Sequence, residues 1–170
     1  MLVALLLVYA LLIAVPFVPG IEIGLTLLAV EGAWIAPWLY LATVSGLLIA
    51  YAAGEWVPYV RLHRILADLH MRRACALLEH IQPLSRAERV ILMRGRAPRW
   101  LRPFITRYRY LVMAAVINLP GNSVIGGGGG IVFLMGLSRL FRPVAVALTL
   151  SLAVMPVPLA VWAFGTDIIP

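Results

Sequence analysis

The 170-residue chain is 63% hydrophobic and 12% charged, against roughly 45–50% and about 25% in soluble domains, and its mean hydropathy is +0.99. A soluble globule is excluded. All fourteen basic residues are Arg, and twelve of them lie between Tyr59 and Arg109 against only Asp68, Glu79 and Glu88, so the charge is a segment rather than a tail. The one cysteine, Cys75, rules out an internal disulfide framework and leaves the redox compartment open.

The first nearly uncharged stretch, Met1–Val30, is too long for one straight crossing and is broken by Pro16-Phe17-Val18-Pro19-Gly20. Its halves reach only about 15–22 Å as helices, short of a hydrocarbon core of about 30 Å. A cleaved secretory signal is rejected, because a positive n-region and an A-x-A site are missing and Pro-x-x-Pro follows. Gly32–Gly54 is an ordinary span of about 35 Å, with Trp34, Trp38, Tyr40 and Trp56 near its ends, where aromatic rings favour the headgroup level.

The basic connector, 59–109, comes next. Arg61–Gln82 reads as one helix with a leucine-rich stripe opposite Arg61, Arg64, Asp68, Arg72 and Glu79, stopped by Pro83. Ser85-x-x-Glu88 reads as a capping box for a second helix, Arg86–Arg94, closed by Gly95. Such a connector either lies along anionic lipid or packs on the membrane part and fixes topology. His63 and His70 share a face without a carboxylate or thiolate at matching spacing, which argues against a metal. The Arg residues are not interleaved with exposed aromatics, which argues against nucleic acid.

Tyr110–Ser138 repeats the first arrangement: a short apolar run, a break at Asn118-Leu119-Pro120-Gly121, the Gly126–Gly130 run and a second apolar run. Pro143–Thr166 is the second span, with a kink expected at Pro156 and Pro158. Both broken stretches read as re-entrant helical hairpins. Were they full crossings, Arg139 and Arg142 would face away from the other twelve Arg; as re-entrant hairpins they leave all fourteen on one side, as the positive-inside rule favours. The expected architecture is all-α integral membrane, with two spans and two re-entrant hairpins in an inverted repeat. Its first membrane repeat is 1–58 (hairpin 1–30, span 32–54) and its second 110–170 (hairpin 110–138, span 143–166). The expected setting is the inner (plasma) membrane, with the basic loop cytoplasmic and both termini outside.

Paired interrupted segments point to a transport site where they meet. Glu22, two residues past Gly20, is the only ionisable residue expected at membrane depth, and it is either a proton or cation relay or a carboxylate capping its own helix. Asn118, Asn122 and Ser123 flank the second break at Gly121 and bring amide and hydroxyl groups to the same place, either as a polar centre or to satisfy freed backbone. The glycine run is an anion nest, a carbonyl path or a close-packing surface. It fits no phosphate-loop or dinucleotide pattern. No acid pair, Ser/His/acid set or His/Cys cluster marks an enzyme, and no metal or cofactor is expected.

The Pro16–Gly20 break, the Gly46…Tyr51-x-x-Gly54 pattern, the basic connector, the aromatic-rich Arg107-Tyr108-Arg109-Tyr110 and Gly136-Leu137-Ser138-Arg139 together resemble the DedA/VTT (SNARE-associated) membrane superfamily over most of the chain, by short motifs. The resemblance implies two re-entrant hairpins in inverted repeats and lipid-carrier translocation or scrambling, sometimes proton-linked, with Glu22 similar to the acid near the first Pro-Gly. The chain departs from the pattern at its second Pro-Gly, where the family has Arg and this sequence has Asn118, Asn122 and Ser123; proton coupling and phosphate recognition there would require Arg107 or Arg109 to substitute. The expected function is a small transporter or lipid translocase moving an anionic lipid carrier or small solute, with membrane lipids as partners and a homo-oligomeric state. The alternative is a non-transporting accessory subunit of a larger membrane complex, and a channel through the glycine run ranks last.

Overall fold

The computed structural model describes residues 2–68, 70, 78–119, 121–122 and 126–165. Cys75, Pro120, Ser123 and Asp167 therefore lie outside the described residues. Every regular element among the described residues is a helix.

Helices α1 (Leu2–Ala14) and α2 (Gly20–Glu31) flank the first break. Proline at 16 disfavours helical backbone at Val15, Phe17 takes a left-handed φ of 69°, and Pro19 occupies the N-cap of α2. The chain then folds back on itself: the Tyr9 hydroxyl donates to the Gly20 carbonyl at 3.3 Å, and the Ile13 side chain packs over Gly20. A 3-10 turn at Ala33–Ile35 leads into α3 (Ala36–Trp56), which carries Pro37 in its first turn, where a missing N–H costs no hydrogen bond.

The connector departs from the expected single helix over Arg61–Gln82. Helix α4 (Tyr59–Asp68) stops early, and His70 is left-handed at φ 56°. The His63 ring lies 2.9 Å from the Glu79 carboxylate. Sixteen residues of continuous helix would separate them by about 24 Å, so the segment reverses. Helix α5 runs Arg86–Arg96 with the expected capping box: the Ser85 N–H donates to the Glu88 carboxylate at 2.7 Å, and the Glu88 N–H donates to Ser85 Oγ at 3.4 Å. Gly95 does not end α5. Pro98 does, by holding Ala97 in extended backbone. Helix α6 is Arg102–Thr106.

Helices α7 (Arg109–Ile117) and α8 (Gly127–Ser138) flank the second break. Their far ends are together, with the Tyr110 ring edge-on to Phe141 at 5.6 Å and the Arg142 N–H donating to the Tyr110 hydroxyl at 3.1 Å. Their near ends are also together, with Ile117 beside Gly128. The pair therefore folds back as α1 and α2 do. Helices α9 (Pro143–Val154) and α10 (Pro156–Phe164) divide the last apolar stretch at Met155, because Pro156 and Pro158 donate no N–H to the preceding turn.

α3 is the hub, packed on α1, α8, α9 and α10. Backbones approach closely at Gly46 against Ala10 on α1, and at Gly54 and Gly136, which face the Phe133 and Tyr51 carbonyls respectively. Small residues permit this spacing in membrane helices. Ala33–Trp56 and Pro143–Phe164, at 24 and 22 residues, are long and apolar enough to cross a membrane. On α9, Val144, Leu148 and Leu152 form an exposed stripe at four-residue spacing, while Val146 and Leu150 are fully buried.

Candidate functional site

The two interruptions touch. The Phe17 N–H donates to the Gly126 carbonyl at 2.6 Å. Gly127 lies against the Val18 carbonyl, Gly129 against that of Ile13, and Gly130 against Pro16. A side chain at Gly127 or Gly129 would collide with the Val18 or Ile13 carbonyl, and one at Gly130 would press on Pro16, which explains why glycines stand at these positions. That favours the close-packing use of the run, with Gly127 also held at a left-handed φ of 69°.

Beside this contact is a cavity of about 170 Å³. Its walls include Tyr9 and Ile13 of α1, Val18 and Gly20 at the first break, Ile21 and Gly24 of α2, Thr43 and Leu47 of α3, Asn118 and Asn122 at the second break, Gly128 and Gly129 of α8, and Val154 and Pro158 at the α9–α10 kink. The lining is chiefly apolar, with four polar side chains. Thr43 donates to the Leu39 carbonyl at 2.7 Å, so the Tyr9 hydroxyl, 3.1 Å from Thr43 Oγ1, shares its one proton between that oxygen and the Gly20 carbonyl. Gly24 makes room for the Tyr9 hydroxyl.

Asn122 is 1% exposed and donates from Nδ2 to the Ile117 carbonyl at 2.5 Å. Asn118 Nδ2 donates to Ala114 at 2.9 Å and across to Ala153 of α9 at 3.0 Å. The last carbonyls of a helix have no partner of their own; Asn122 satisfies that of Ile117 at the end of α7, whereas Asn118 adds a second donor to the Ala114 carbonyl, which already accepts the Asn118 N–H at 3.3 Å, and both side chains line the cavity. Asn118 also ties the second break to the helix kink.

The remaining expected residues are elsewhere. Glu22 is exposed on α2 and does not line the cavity, although its neighbours Gly20, Ile21 and Gly24 do. Gly121 is left-handed at φ 75° with open space around it and supplies the turn. Ser123 falls outside the described residues. Arg107 and Arg109 stack on the rings of Tyr108 and Tyr110 at 5.8 and 5.0 Å, at the Phe141 end of α7, and do not reach the cavity. Sequence reasoning missed Tyr9 and Thr43. The available signal was a hydroxyl placed mid-helix in an otherwise apolar run, since buried hydroxyls in such a setting need partners.

No protein-family model, curated protein or solved structure matches the chain.

Proposed function

We propose that α1–α2 and α7–α8 are re-entrant hairpins entering from opposite membrane faces. They form an inverted repeat with the spans α3 and α9–α10, and the chain is a small integral membrane transporter or lipid translocase working through the cavity where the hairpin tips meet. The observation that carries this reading is the Phe17–Gly126 hydrogen bond: a backbone N–H of the first interruption is paired with a carbonyl of the second, the kind of internal pairing that irregular chain at membrane depth requires. The exposed Val144, Leu148 and Leu152 stripe suits lipid rather than water. Trp34, Trp38, Trp56 and Trp162, all more than half exposed, suit the headgroup level.

Orientation follows from charge. Arg86 of the connector donates to the Phe141 carbonyl, and Arg139 donates to Val57 at the end of α3, so the connector shares one end of the bundle with Arg139 and Arg142. On the positive-inside rule that end is cytoplasmic, in the inner membrane. The cavity is below the roughly 300–1,000 Å³ of drug-sized sites. It suits a headgroup-sized or small-solute moiety, with any lipid tails left in the bilayer. The walls hold amide and hydroxyl groups and glycine backbone rather than Arg, which is where the chain departs from the DedA/VTT pattern it resembles. A homo-oligomer belongs to the proposal, since two spans give little area to shield a polar cavity.

Cysteine accessibility on a Cys75→Ser background tests the topology. The ends of each hairpin should label from one face and the tips should be shielded; labelling of the two ends of either hairpin from opposite faces overturns the reading. Uptake or flipping in proteoliposomes tests the activity, and its absence across lipid-phosphate and small-solute cargoes overturns it.

A further inference from the structure

Away from the cavity, at the end of α3, three arginines converge on an open polar pocket of about 610 Å³ whose walls include Glu55, Ser85, Arg86, Arg89 and Arg139. Three guanidinium groups stand there against one carboxylate. Arg86 is committed: it pairs with Glu55 and donates to the Phe141 carbonyl at 2.5 Å. Arg89 is 6% exposed. Its Nε donates to the Leu84 carbonyl at 2.9 Å and one terminal nitrogen donates to Gln82 at 3.2 Å, but the other terminal nitrogen, Nη1, is buried with no hydrogen-bond partner among the described residues. Leaving a buried charged donor unmatched is costly.

Arg139 donates to Val57 at 3.0 Å and lies over the Tyr59 ring at 4.2 Å, with Arg89 over the same ring at 5.3 Å. One aromatic ring attracts each cation, yet two guanidiniums held on one ring repel each other. An oxyanion in the open pocket that both arginines line offsets the repulsion, and it offers an acceptor to the Arg89 fork once Nη1 turns toward it. Arg suits this use because its planar fork matches phosphate oxygens.

We propose that the Arg86–Arg89–Arg139 pocket binds a phosphate group. The site needs nothing from the midplane cavity. Its ligand has two possible sources, a lipid headgroup or free phosphate. The lipid assignment rests on α3 crossing the bilayer, as proposed above, because the pocket then lies at headgroup level beside Trp56, which is 81% exposed.

Binding is read on the detergent-purified full chain, so it stands whether or not transport is found. The probes are inorganic phosphate, dihexanoyl phosphatidic acid and dihexanoylglycerol as the phosphate-free control. Thermal stabilisation and calorimetric affinity are expected with phosphatidic acid and not with dihexanoylglycerol. Equal affinity for inorganic phosphate assigns the site to the free anion, and much weaker affinity assigns it to a lipid headgroup; both support the pocket. Arg89→Gln and Arg139→Gln should each weaken binding at least tenfold, while Arg94→Gln, which removes an exposed arginine outside the pocket, should leave it unchanged. Arg89→Lys, which keeps the charge and loses the fork, carries the test should Arg89→Gln elute as aggregate. No binding of either phosphate probe, or wild-type affinity in folded Arg139→Gln and Arg89→Lys, overturns the proposal.

Discussion

Gly54 and Gly136 pack reciprocally: a Cβ on Gly54 would overlap the Phe133 carbonyl of α8, and one on Gly136 would overlap the Tyr51 carbonyl of α3. Both obstacles are backbone, which cannot rotate aside, so the close approach of the hub helix to the second hairpin depends on both glycines. Gly136→Val should destabilise the protein by about 1–3 kcal/mol or more, the range for overpacking a well-filled core. A thermal melt in detergent reads this as a lower midpoint. A variant melting with the wild type would mean that α3 and α8 do not pack this closely.

The Tyr9 hydroxyl is the polar tie between the first hairpin and α3, through Thr43 and the Gly20 carbonyl. Removing it in Tyr9→Phe should cost about 0.5–1.5 kcal/mol, and Thr43→Val should cost a similar amount. Because the two share one hydrogen bond, the double variant should lose less than the sum of the singles, as coupled neighbours do. A double-mutant cycle on unfolding midpoints checks this, and strict additivity would place the two side chains apart.

Asn122 is buried with its amide on the Ile117 carbonyl, so Asn122→Ala leaves that carbonyl at the end of α7 without its side-chain donor. A loss of about 1–3 kcal/mol is expected, together with loss of transport, since the same amide lines the cavity. Asn122→Asp keeps the size and changes the donor to an acceptor, and should be worse than Ala in stability. Wild-type melting of both variants would remove Asn122 from the site.

What the sequence made legible follows from which physics is local. Pro16, Pro19 and Gly121 punctuate the chain by their own backbone restrictions, so the breaks between α1 and α2 and between α7 and α8 could be read directly. So could the Ser85–Glu88 cap, whose partners are three residues apart. The approach of Glu79 to His63 was not legible, because apolar spacing over Arg61–Gln82 is consistent with one unbroken helix. Tyr9, Thr43 and the exposed position of Glu22 depend on how α1, α2 and α3 rotate against one another, a tertiary property that residue spacing does not encode. The Arg89–Tyr59–Arg139 stack was hidden for the same reason, its members being thirty and fifty positions apart.

The α5 cap carries its own pH dependence. The Ser85 side chain, and then its N–H, hold the Glu88 carboxyl below the ordinary value of 4.5. A group whose value is lower in the folded state stabilises the fold above the unfolded value and loses that contribution as pH falls through the folded one. Protection of the Arg86–Arg96 amides from hydrogen exchange should therefore be full near neutrality and decline in acid. Glu88→Gln keeps the capping hydrogen bond without the charge and should flatten the profile, whereas an unchanged acid decline would assign it to another group.

Glu22 tests whether the translocation proposal includes a proton. It lies on α2 one position from Ile21, which lines the cavity, yet its own side chain is exposed on the outer side of the hairpin. Glu22→Gln keeps the size of the side chain and removes its charge, and a cooperative thermal melt in detergent shows that the variant is folded. If the acid exchanges protons during transport, the same variant should abolish uptake in proteoliposomes or shift its pH profile, because a glutamine cannot titrate. Full activity at every pH would confine Glu22 to the lipid-facing surface and leave Asn118, Asn122, Tyr9 and Thr43 as the polar groups on which translocation depends.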